Sequence, residues 1–229
     1  MDTNNTIFEN SKKVWEDNLG LFPQTVLKYP DENLVRLLSG RYVPIPLPPA
    51  KVLDHGFGTA NTLEYLVNKG FECSGCEISQ RFIDEAEIRL KHQADLRLVK
   101  GLEIPFEDNQ FDLIISWNVI HYNGTPENVQ RVVNELRRVL KTGGVLLLST
   151  IHPDSSLFKR TEYIAKGSYK VIKGSIYDNR DGLALYCARA SWELRGLFKD
   201  FSEYRQGYAE ANLFNPERIG AWYLVYAVK

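Results

Sequence analysis

Short apolar runs recur along residues 51–149, and apolar residues at helical spacing fill the intervals between them. The runs predict five strands, at 51–54, 71–77, 96–99, 111–116 and 145–149. The almost continuous apolar run 111–116 is typical of a strand buried on both faces of a parallel sheet. The alternation of strands and helices therefore predicts a doubly wound α/β fold.

Capping residues indicate where the helices of this repeat begin and end. Thr125 followed by Pro126 predicts the start of a helix with one continuous apolar face, and Gly143 and Gly144 predict its end. Ser79 likewise predicts the start of the helix that follows the second strand.

The repeat stops at residue 151. Residues 151–189 carry four tyrosines among glycines and charges, which predicts a hairpin or a mobile flap. Ser191 then predicts the start of a last helix. Two aromatic-rich strands follow at 203–208 and 221–228, and the short interval between them leaves little room for a crossover helix. We therefore expect these two strands to pair antiparallel.

Residues 1–49 precede the repeat and form a predicted N-terminal helical lid or appendage, which leaves 50–229 as the main domain. Their weak apolar stripes predict one helix over 6–19, ended by Gly20, and a second that begins near Asp31. Such stripes usually pack at the edge of a core, but these helices could also cover a ligand. The aromatic residues that would then touch the ligand are Trp15, Phe22 and Tyr29.

Composition and charge narrow the function classes. Among 229 residues, 44% are hydrophobic and 25% charged, as in ordinary globular proteins. The net charge of −1 gives no reason to expect a nucleic acid or an anionic membrane as partner. The chain has no apolar run of about 18 residues and its first ten residues lack the apolar core of a signal peptide, so we expect a cytoplasmic protein.

Cys73 and Cys76 form a C-x-x-C pattern, which in other settings marks a redox pair or half of a zinc site. Here both lie in the predicted strand 71–77, and residues three apart in a strand point to opposite faces. Neither a disulfide nor a shared metal fits that geometry. We therefore interpret both as buried, inert thiols and predict no metal site.

The first strand leads into a glycine turn that predicts a nucleotide-type site. Asp54 ends the strand, Gly56 and Gly58 follow, and a helical spacing begins directly afterwards. Glu77 lies 23 residues beyond Asp54, at the tip of the second strand, where a carboxylate accepts hydrogen bonds from ribose hydroxyls. The turn Gly56-Phe-Gly58-Thr-Ala-Asn61 lacks the third glycine of the dinucleotide fingerprint G-x-G-x-x-G, which weakens an interpretation as an NAD site.

Four segments in this order are similar to the class I S-adenosylmethionine (SAM)-dependent methyltransferases of the type 11 branch. They are Val-Leu-Asp-His-Gly-Phe-Gly-Thr (52–59), Gly-Cys-Glu-Ile-Ser (75–79), Ile-Pro-Phe-Glu-Asp-Asn-Gln-Phe-Asp-Leu-Ile-Ile-Ser (104–116) and Glu-Leu-Arg-Arg-Val-Leu-Lys-Thr-Gly-Gly (135–144). The resemblance covers about residues 50–150. It implies SAM as the cofactor and a seven-stranded, mostly parallel sheet that ends in the two antiparallel C-terminal strands.

The resemblance also implies which residues bind the cofactor. On the glycine turn, the residues at the methionine part of SAM would be Asp54, Gly56, Gly58 and Thr59. Glu77 would hold the ribose, and Ile78 would pack on the adenine. The adenine edge would meet Gly101, Leu102 and Glu103, and the methionine end would meet Ser116, Trp117 and Asn118. Many members have an acidic residue where this chain has Gly101 and Leu102, so Glu103 or the backbone would replace its contact.

The acceptor site is less clearly marked. His121 and His152 follow the fourth and fifth predicted strands, where ligands bind in α/β folds, and a histidine there could remove a proton or simply hydrogen-bond within its loop. Trp117, Tyr122 and Tyr186 are candidate substrate residues, although large aromatic residues belong to a core at least as often.

The leading hypothesis is methyl transfer to a small or medium-sized acceptor, at oxygen. The segment Ser-Trp-Asn-Val-Ile-His-Tyr at 116–122 differs from the Asn/Asp-Pro-Pro-aromatic pattern of amino-directed nucleic-acid methylases. Two alternatives remain open, a non-catalytic SAM-binding protein of the same fold and an NAD-linked oxidoreductase. The oligomeric state has no signal in the sequence.

Overall fold

A seven-stranded sheet forms the centre of the protein in a computed structural model that describes residues 3–21, 27–172, 180–212 and 219–229. In chain order, the described strands are β1 (Lys51–His55), β2 (Glu72–Glu77), β3 (Ala94–Leu98), β4 (Phe111–Trp117), β5 (Leu140–Ile151), β6 (Thr161–Ala165), β7 (Ser168–Val171), β8 (Ala184–Tyr186), β9 (Glu203–Ala211) and β10 (Gly220–Val228). The large sheet has the order β3-β2-β1-β4-β5-β10-β9. Strands β1 to β5 run parallel, and β10 is antiparallel to both β5 and β9. The predicted fold class and the antiparallel C-terminal pair are thus confirmed.

Six α-helices accompany the strands in the described part of the chain. They are α1 (Thr3–Leu21), α2 (Glu32–Leu38), α3 (Asn61–Asn68), α4 (Gln80–Leu90), α5 (Pro126–Val139) and α6 (Ser191–Leu197). The Thr125 hydroxyl accepts a hydrogen bond from the Asn128 amide at 3.2 Å, as its predicted role at the start of α5 requires. The Asp31 carboxylate does the same for α2 through the amides of Asn33 and Leu34.

The predicted helix boundaries at Gly20 and Ser191 are wrong, whereas the one at Ser79 is confirmed. Helix α1 continues through Gly20 to Leu21, because a single glycine weakens a helix by about 1 kcal/mol without ending it. Ser79 is the N-cap residue of α4, but its hydroxyl makes no capping hydrogen bond and instead donates to the Glu16 carboxylate of α1 at 3.2 Å. Ser191 is the first residue of α6 rather than its cap, and its hydroxyl accepts from the Gln206 side chain.

The end of α5 differs most from its prediction. The helix stops at Val139, and Leu140 is already extended and pairs with Phe111 of β4. The next pairing joins Leu113 to Val145, so the intervening residues bulge out of the ladder at Gly143, whose φ is +77°. The glycines therefore permit a bulge inside β5 instead of terminating the helix.

Both faces of the large sheet are buried. Side chains alternate along β4, so that Ile114 joins the core on one face while Leu113 and Ile115 join the core on the other. Cys73 and Cys76 follow the same rule, as predicted, and their side chains pack into opposite cores as free thiols. Burial raises the pKa of Cys73 to about 12 and that of Cys76 further, which keeps both thiols protonated.

A smaller antiparallel sheet, β6-β7-β8, is built from the region predicted as a hairpin or flap. Strands β6 and β7 form the hairpin, and Tyr169 of β7 packs against Phe158 with ring centres 4.7 Å apart. Val14 of α1 and Tyr122 pack on the core of this sheet. Movement of this region and the division of the chain after residue 49 stay predictions. No helix of the described residues is long and apolar enough to cross a membrane.

Candidate functional site

A cavity of about 520 Å³ opens at the carboxyl ends of β1, β2 and β4, beneath α1. The carboxyl ends of neighbouring strands meet here because the strands are parallel, and doubly wound folds bind ligands in this position. The glycine turn, the tip of β2, the residues after β4 and one face of α1 all contribute to its walls.

Gly56 and Gly58 of the turn require glycine for different structural reasons. Gly56 has φ +71°, and a Cβ there would lie 2.6 Å from Cγ2 of Val119, so a side chain would collide with the wall. Gly58 has φ +52°, and the position of a Cβ is open space facing the cavity. The backbone of Ala60 is also in the left-handed region, at φ +58°, a conformation that glycine adopts more easily than alanine. The turn thus presents bare backbone to a ligand.

Glu77 connects the tip of β2 to the glycine turn. One carboxylate oxygen accepts from the Gly58 amide at 3.0 Å, and the other accepts from the Ile78 amide at 2.7 Å. Burial raises the pKa of Glu77 above its ordinary value, while these backbone donors oppose the rise. The carboxylate also takes a backbone hydrogen bond from Ser79, and its remaining lone pair is left to accept from a ligand hydroxyl.

Asp54 is a buried carboxyl group with an unsatisfied atom. Its Oδ2 has no hydrogen-bond partner within the described residues, although the side chain lines the cavity. Burial, and then the nearby charge of Glu77, raise the pKa of Asp54 to about 8. Asp31 is the third acidic residue in the lining, and no lysine or arginine lines the cavity in the part of the chain described here. The site therefore favours a ligand with positive charge or hydrogen-bond donors.

Helix α1 covers the cavity with one face. Ile7, Ser11 and Trp15 lie at four-residue spacing and all three line the cavity. The Ser11 hydroxyl donates to the carbonyl of Tyr122 at 3.2 Å, and the Trp15 and Tyr122 rings meet edge to face with centres 5.1 Å apart. Phe22, the third aromatic residue proposed for a lid, lies outside the described residues.

The segment after α1 is tied to the glycine turn. The Arg89 guanidinium donates to the carbonyls of Thr59 at 2.7 Å and Leu27 at 3.3 Å, and it also pairs with Glu64. Asn61 donates to the carbonyl of Tyr29 at 2.6 Å. Leu27 and Tyr29 line the cavity as a result.

Eleven predicted site residues line this single cavity. They are Asp54, Gly56, Gly58, Thr59, Glu77, Ile78, Gly101, Leu102, Trp117, Asn118 and Tyr122. Five others lie outside it: Glu103, Ser116, His121, His152 and Tyr186.

Strand alternation and packing explain why two of these five residues, Ser116 and Tyr186, lie outside the cavity. Ser116 is fully buried and its hydroxyl lies 3.0 Å from Nδ1 of His55, so it holds the imidazole that lines the cavity. Burial lowers the pKa of His55 to about 4, which leaves the ring neutral at pH 7. Tyr186, at the end of β8, is buried in the core that packs on the main sheet.

Neither predicted proton acceptor reaches the cavity. His121 is buried in the 3₁₀ turn after β4, with Nδ1 3.4 Å from the Thr150 hydroxyl, and burial together with Arg180 lowers its pKa to about 3. His152 packs between the rings of Tyr208 and Tyr223, beside the antiparallel edge of the sheet. A position just after the carboxyl end of a strand is thus not enough to place a residue in the cavity.

Glu103 also fails to contact the cavity. Its side chain is exposed and lies in an outer depression with Lys100 and Arg138. The adenine edge is left to Gly101 and Leu102, which line the cavity.

Several lining residues were missed by the sequence analysis. Ile7, Ser11 and Trp15 were detectable as one helical face, of which only Trp15 was named. Asn128 and Val132 on α5 carry no local signal, because their helix face also packs into the core.

Comparison with known proteins identifies a methyltransferase domain in this chain. A family model described as "Methyltransferase domain" matches residues 53–148. The chain is 35% identical over 101 residues to a probable tRNA methyltransferase 9B from Mus musculus. The matched segment covers 44% of this chain and 22% of that protein. It is 34% identical over 126 residues to a malonyl-[acyl-carrier protein] O-methyltransferase from Enterobacter lignolyticus, covering 55% and 45%. The chain thus spans about a fifth to a half of the length of such relatives.

Solved structures show the same fold. A SAM-dependent methyltransferase from Methanosarcina mazei aligns with a TM-score of 0.63 at 21% identity, covering 79% of this chain and 92% of that one. A possible histamine N-methyltransferase from Thermotoga maritima aligns with a TM-score of 0.55 at 21% identity, covering 80% and 83%. Residues 53–148 thus match a methyltransferase domain, and the chain has the fold of SAM-dependent methyltransferases of known structure.

Proposed function

We propose that this protein transfers a methyl group from SAM to a small or medium-sized acceptor, at oxygen. The observation that carries the proposal is the cavity itself, in which the glycine turn, Glu77 and the unpartnered oxygen of Asp54 meet beneath α1. The methyl group of SAM is bonded to a sulfonium and is therefore activated before it reaches the protein.

The lining residues fit the parts of SAM. Glu77 has a lone pair for a ribose hydroxyl, and Ile78 and Leu102 offer apolar surface for the adenine. Asp54 and the backbone of Gly58 suit the methionine end, because its ammonium group and the sulfonium are cationic. Glu103 has no part in this arrangement.

The chain's own contribution is to position the reactants and exclude water. Helix α1 covers the cavity, and Trp15 and Tyr122 supply a rigid aromatic wall for the acceptor. Holding two reactants in line can lower a barrier by roughly 7–11 kcal/mol. A nucleophile in the protein is then unnecessary.

A small acceptor suits the charge of the site better than a nucleic acid does. The net charge is −1, and the described cavity lining contains acidic residues and no basic ones. Binding to nucleic acid depends on neutralising several phosphates with lysine and arginine. The match to the tRNA methyltransferase relative from Mus musculus covers 44% of this chain and 22% of that protein, so it gives little support for the same acceptor.

Calorimetric titration with SAM, S-adenosylhomocysteine and NAD tests this proposal. We expect both adenosyl ligands to bind and NAD to leave no heat signal. Binding of NAD without SAM would refute the proposal in favour of an oxidoreductase. SAM binding without methyl transfer to any acceptor would favour the non-catalytic alternative. One observation favours that alternative, because neither His121 nor His152 lines the cavity as a proton acceptor.

A further inference from the structure

We propose that Asn128 recognises the adenine of SAM by accepting a hydrogen bond from its 6-amino group, and thereby makes the site specific for an adenosyl ligand. The inference rests on the proposed function of the same cavity and adds a residue that determines its specificity. Glu103, the acidic residue predicted at the adenine edge, does not line the cavity, so this contact needs another residue.

Asn128 is a buried residue with one side-chain oxygen left for a ligand. It is 2% exposed and lines the cavity from the first turn of α5. Its Nδ2 donates to the carbonyl of Asn123 at 3.1 Å, and its backbone amide donates to the Thr125 hydroxyl. Its Oδ1 accepts no hydrogen bond from the described residues. That oxygen is therefore available to a donor in the cavity.

The contact with Asn123 also fixes the orientation of the carboxamide. A backbone carbonyl only accepts, so the NH₂ half of Asn128 must face Asn123, and Oδ1 takes the other position. The same carbonyl accepts from the Thr125 amide at 2.9 Å, which holds this turn in place. The side chain thus presents an acceptor in a defined direction.

Contacts between α5 and the loop after β3 set the position of Asn128. The Glu135 carboxylate accepts from the Ile104 amide at 3.0 Å, and Arg138 donates to the Ile104 carbonyl at 2.8 Å. Helix α5 is thereby fixed against the loop that carries Leu102, at which we place the adenine.

Val132 connects Asn128 to the apolar surface for the base. It lies one helical turn after Asn128, about 6 Å along the axis, and both residues line the cavity. Val132 is buried in the core on which Ile78 and Leu102 pack. These apolar side chains are therefore continuous with the helix face of Asn128, and a base packed on them meets Oδ1 at its polar edge.

The 6-amino group of adenine suits this acceptor. It carries two N–H donors and is uncharged, so a neutral carboxamide oxygen can bind it without the help of a carboxylate. A purine without this group leaves Oδ1 unpaired in a buried position. Such a loss should weaken binding about tenfold or more.

Matched ligands test this inference by binding. S-adenosylhomocysteine is compared with the analogue that has hydrogen in place of the 6-amino group, and calorimetry measures both affinities. We expect the wild-type protein to bind S-adenosylhomocysteine about tenfold or more tightly than the analogue. The two ligands share the ribose and the homocysteine, so the ratio of their affinities reports the 6-amino group.

Variants assign this ratio to one side chain. Asn128→Ala should weaken the binding of S-adenosylhomocysteine and leave the affinity for the analogue nearly unchanged, which removes most of the preference. Asn134→Ala is the matched control, because Asn134 lies on the same helix but is exposed and does not line the cavity. The thermal midpoint of each variant reports whether it is folded.

Two results would overturn the inference. One is a wild-type protein that binds the analogue as tightly as S-adenosylhomocysteine, a result that needs no variant. The other is a folded Asn128→Ala variant with the same preference as Asn134→Ala. Failure of the wild-type protein to bind either SAM or S-adenosylhomocysteine would instead refute the proposed function, so the two failures are distinguishable.

Discussion

Acidification is expected to weaken SAM binding through Asp54. Burial and the charge of Glu77 raise the pKa of this carboxyl group to about 8, so it is largely protonated at neutral pH without ligand. A cationic ligand beside its unpartnered Oδ2 favours the ionised form. Binding must then release a proton, and affinity must fall as the pH falls below 8.

The size of the effect follows from the raised pKa. Below that pKa, each pH unit reduces the ionised fraction about tenfold, which corresponds to about 1.4 kcal/mol. Between about pH 7.5 and pH 5.5 the affinity for SAM should fall by up to about 100-fold, or about 2.7 kcal/mol. The amino group of SAM stays mostly protonated in this window if it titrates like an ordinary α-amino group.

Calorimetry over this pH range, repeated in buffers of different ionisation enthalpy, measures both affinity and proton release. Asp54→Asn is the test variant and should bind SAM with little pH dependence. Glu77→Gln removes the other buried carboxylate of the site and should keep a pH dependence, displaced to lower pH because the charge of Glu77 no longer raises the pKa of Asp54. His55 titrates near pH 4, below the window. A wild-type affinity that is flat across the window, or an Asp54→Asn variant that keeps the full slope, would refute the reasoning.

Three further predictions concern the same elements. Glu77→Ala should weaken SAM binding by about 1–3 kcal/mol in calorimetry, because hydrogen bonds to a charged group are lost; unchanged affinity in a folded variant would contradict the ribose assignment. Because the folded protein holds the pKa of Asp54 above its ordinary 3.8, its stability should fall as the pH rises from about 4 towards 8. Urea denaturation of Asp54→Asn should lack this fall. Gly56→Ala should destabilise the protein by about 1–3 kcal/mol, because the new Cβ would collide with Val119. Gly101 has φ +87° and open space at the Cβ position, so Gly101→Ala should lose only the stability that backbone strain costs.

The fold was predictable because its signals are local and repeated. The apolar run of β4 and the spacing of α5 reflect burial that every residue of those elements shares. The part of the cavity lining that lies on the glycine turn and at the tip of β2 was predictable for a related reason. Asp54, Gly56 and Gly58 lie close together at the end of β1 and on the turn after it, and Glu77 comes to them through a single strand–helix–strand unit.

Other features required tertiary contacts. Gly143 and Gly144 resemble a helix end, but the pairing of Leu140 with Phe111 had already ended α5. His121 and His152 follow strands as ligand-binding residues do, yet one turns into the core and the other packs among tyrosines of β9 and β10. The pattern of apolar and polar residues along a short segment does not show which distant residue packs against that segment.

The sequence by itself determined the α/β fold, the glycine turn and the acidic residue at the tip of β2, because each depends on neighbours close in the chain. Only the tertiary structure decided what covers the cavity and what stands behind its wall. Trp15, Tyr122 and Arg180 come from three distant parts of the chain, and no spacing rule relates them. The proposed donor site is thus encoded locally, whereas the proposed acceptor site depends on the packing of α1 and the small sheet around the turn after β4.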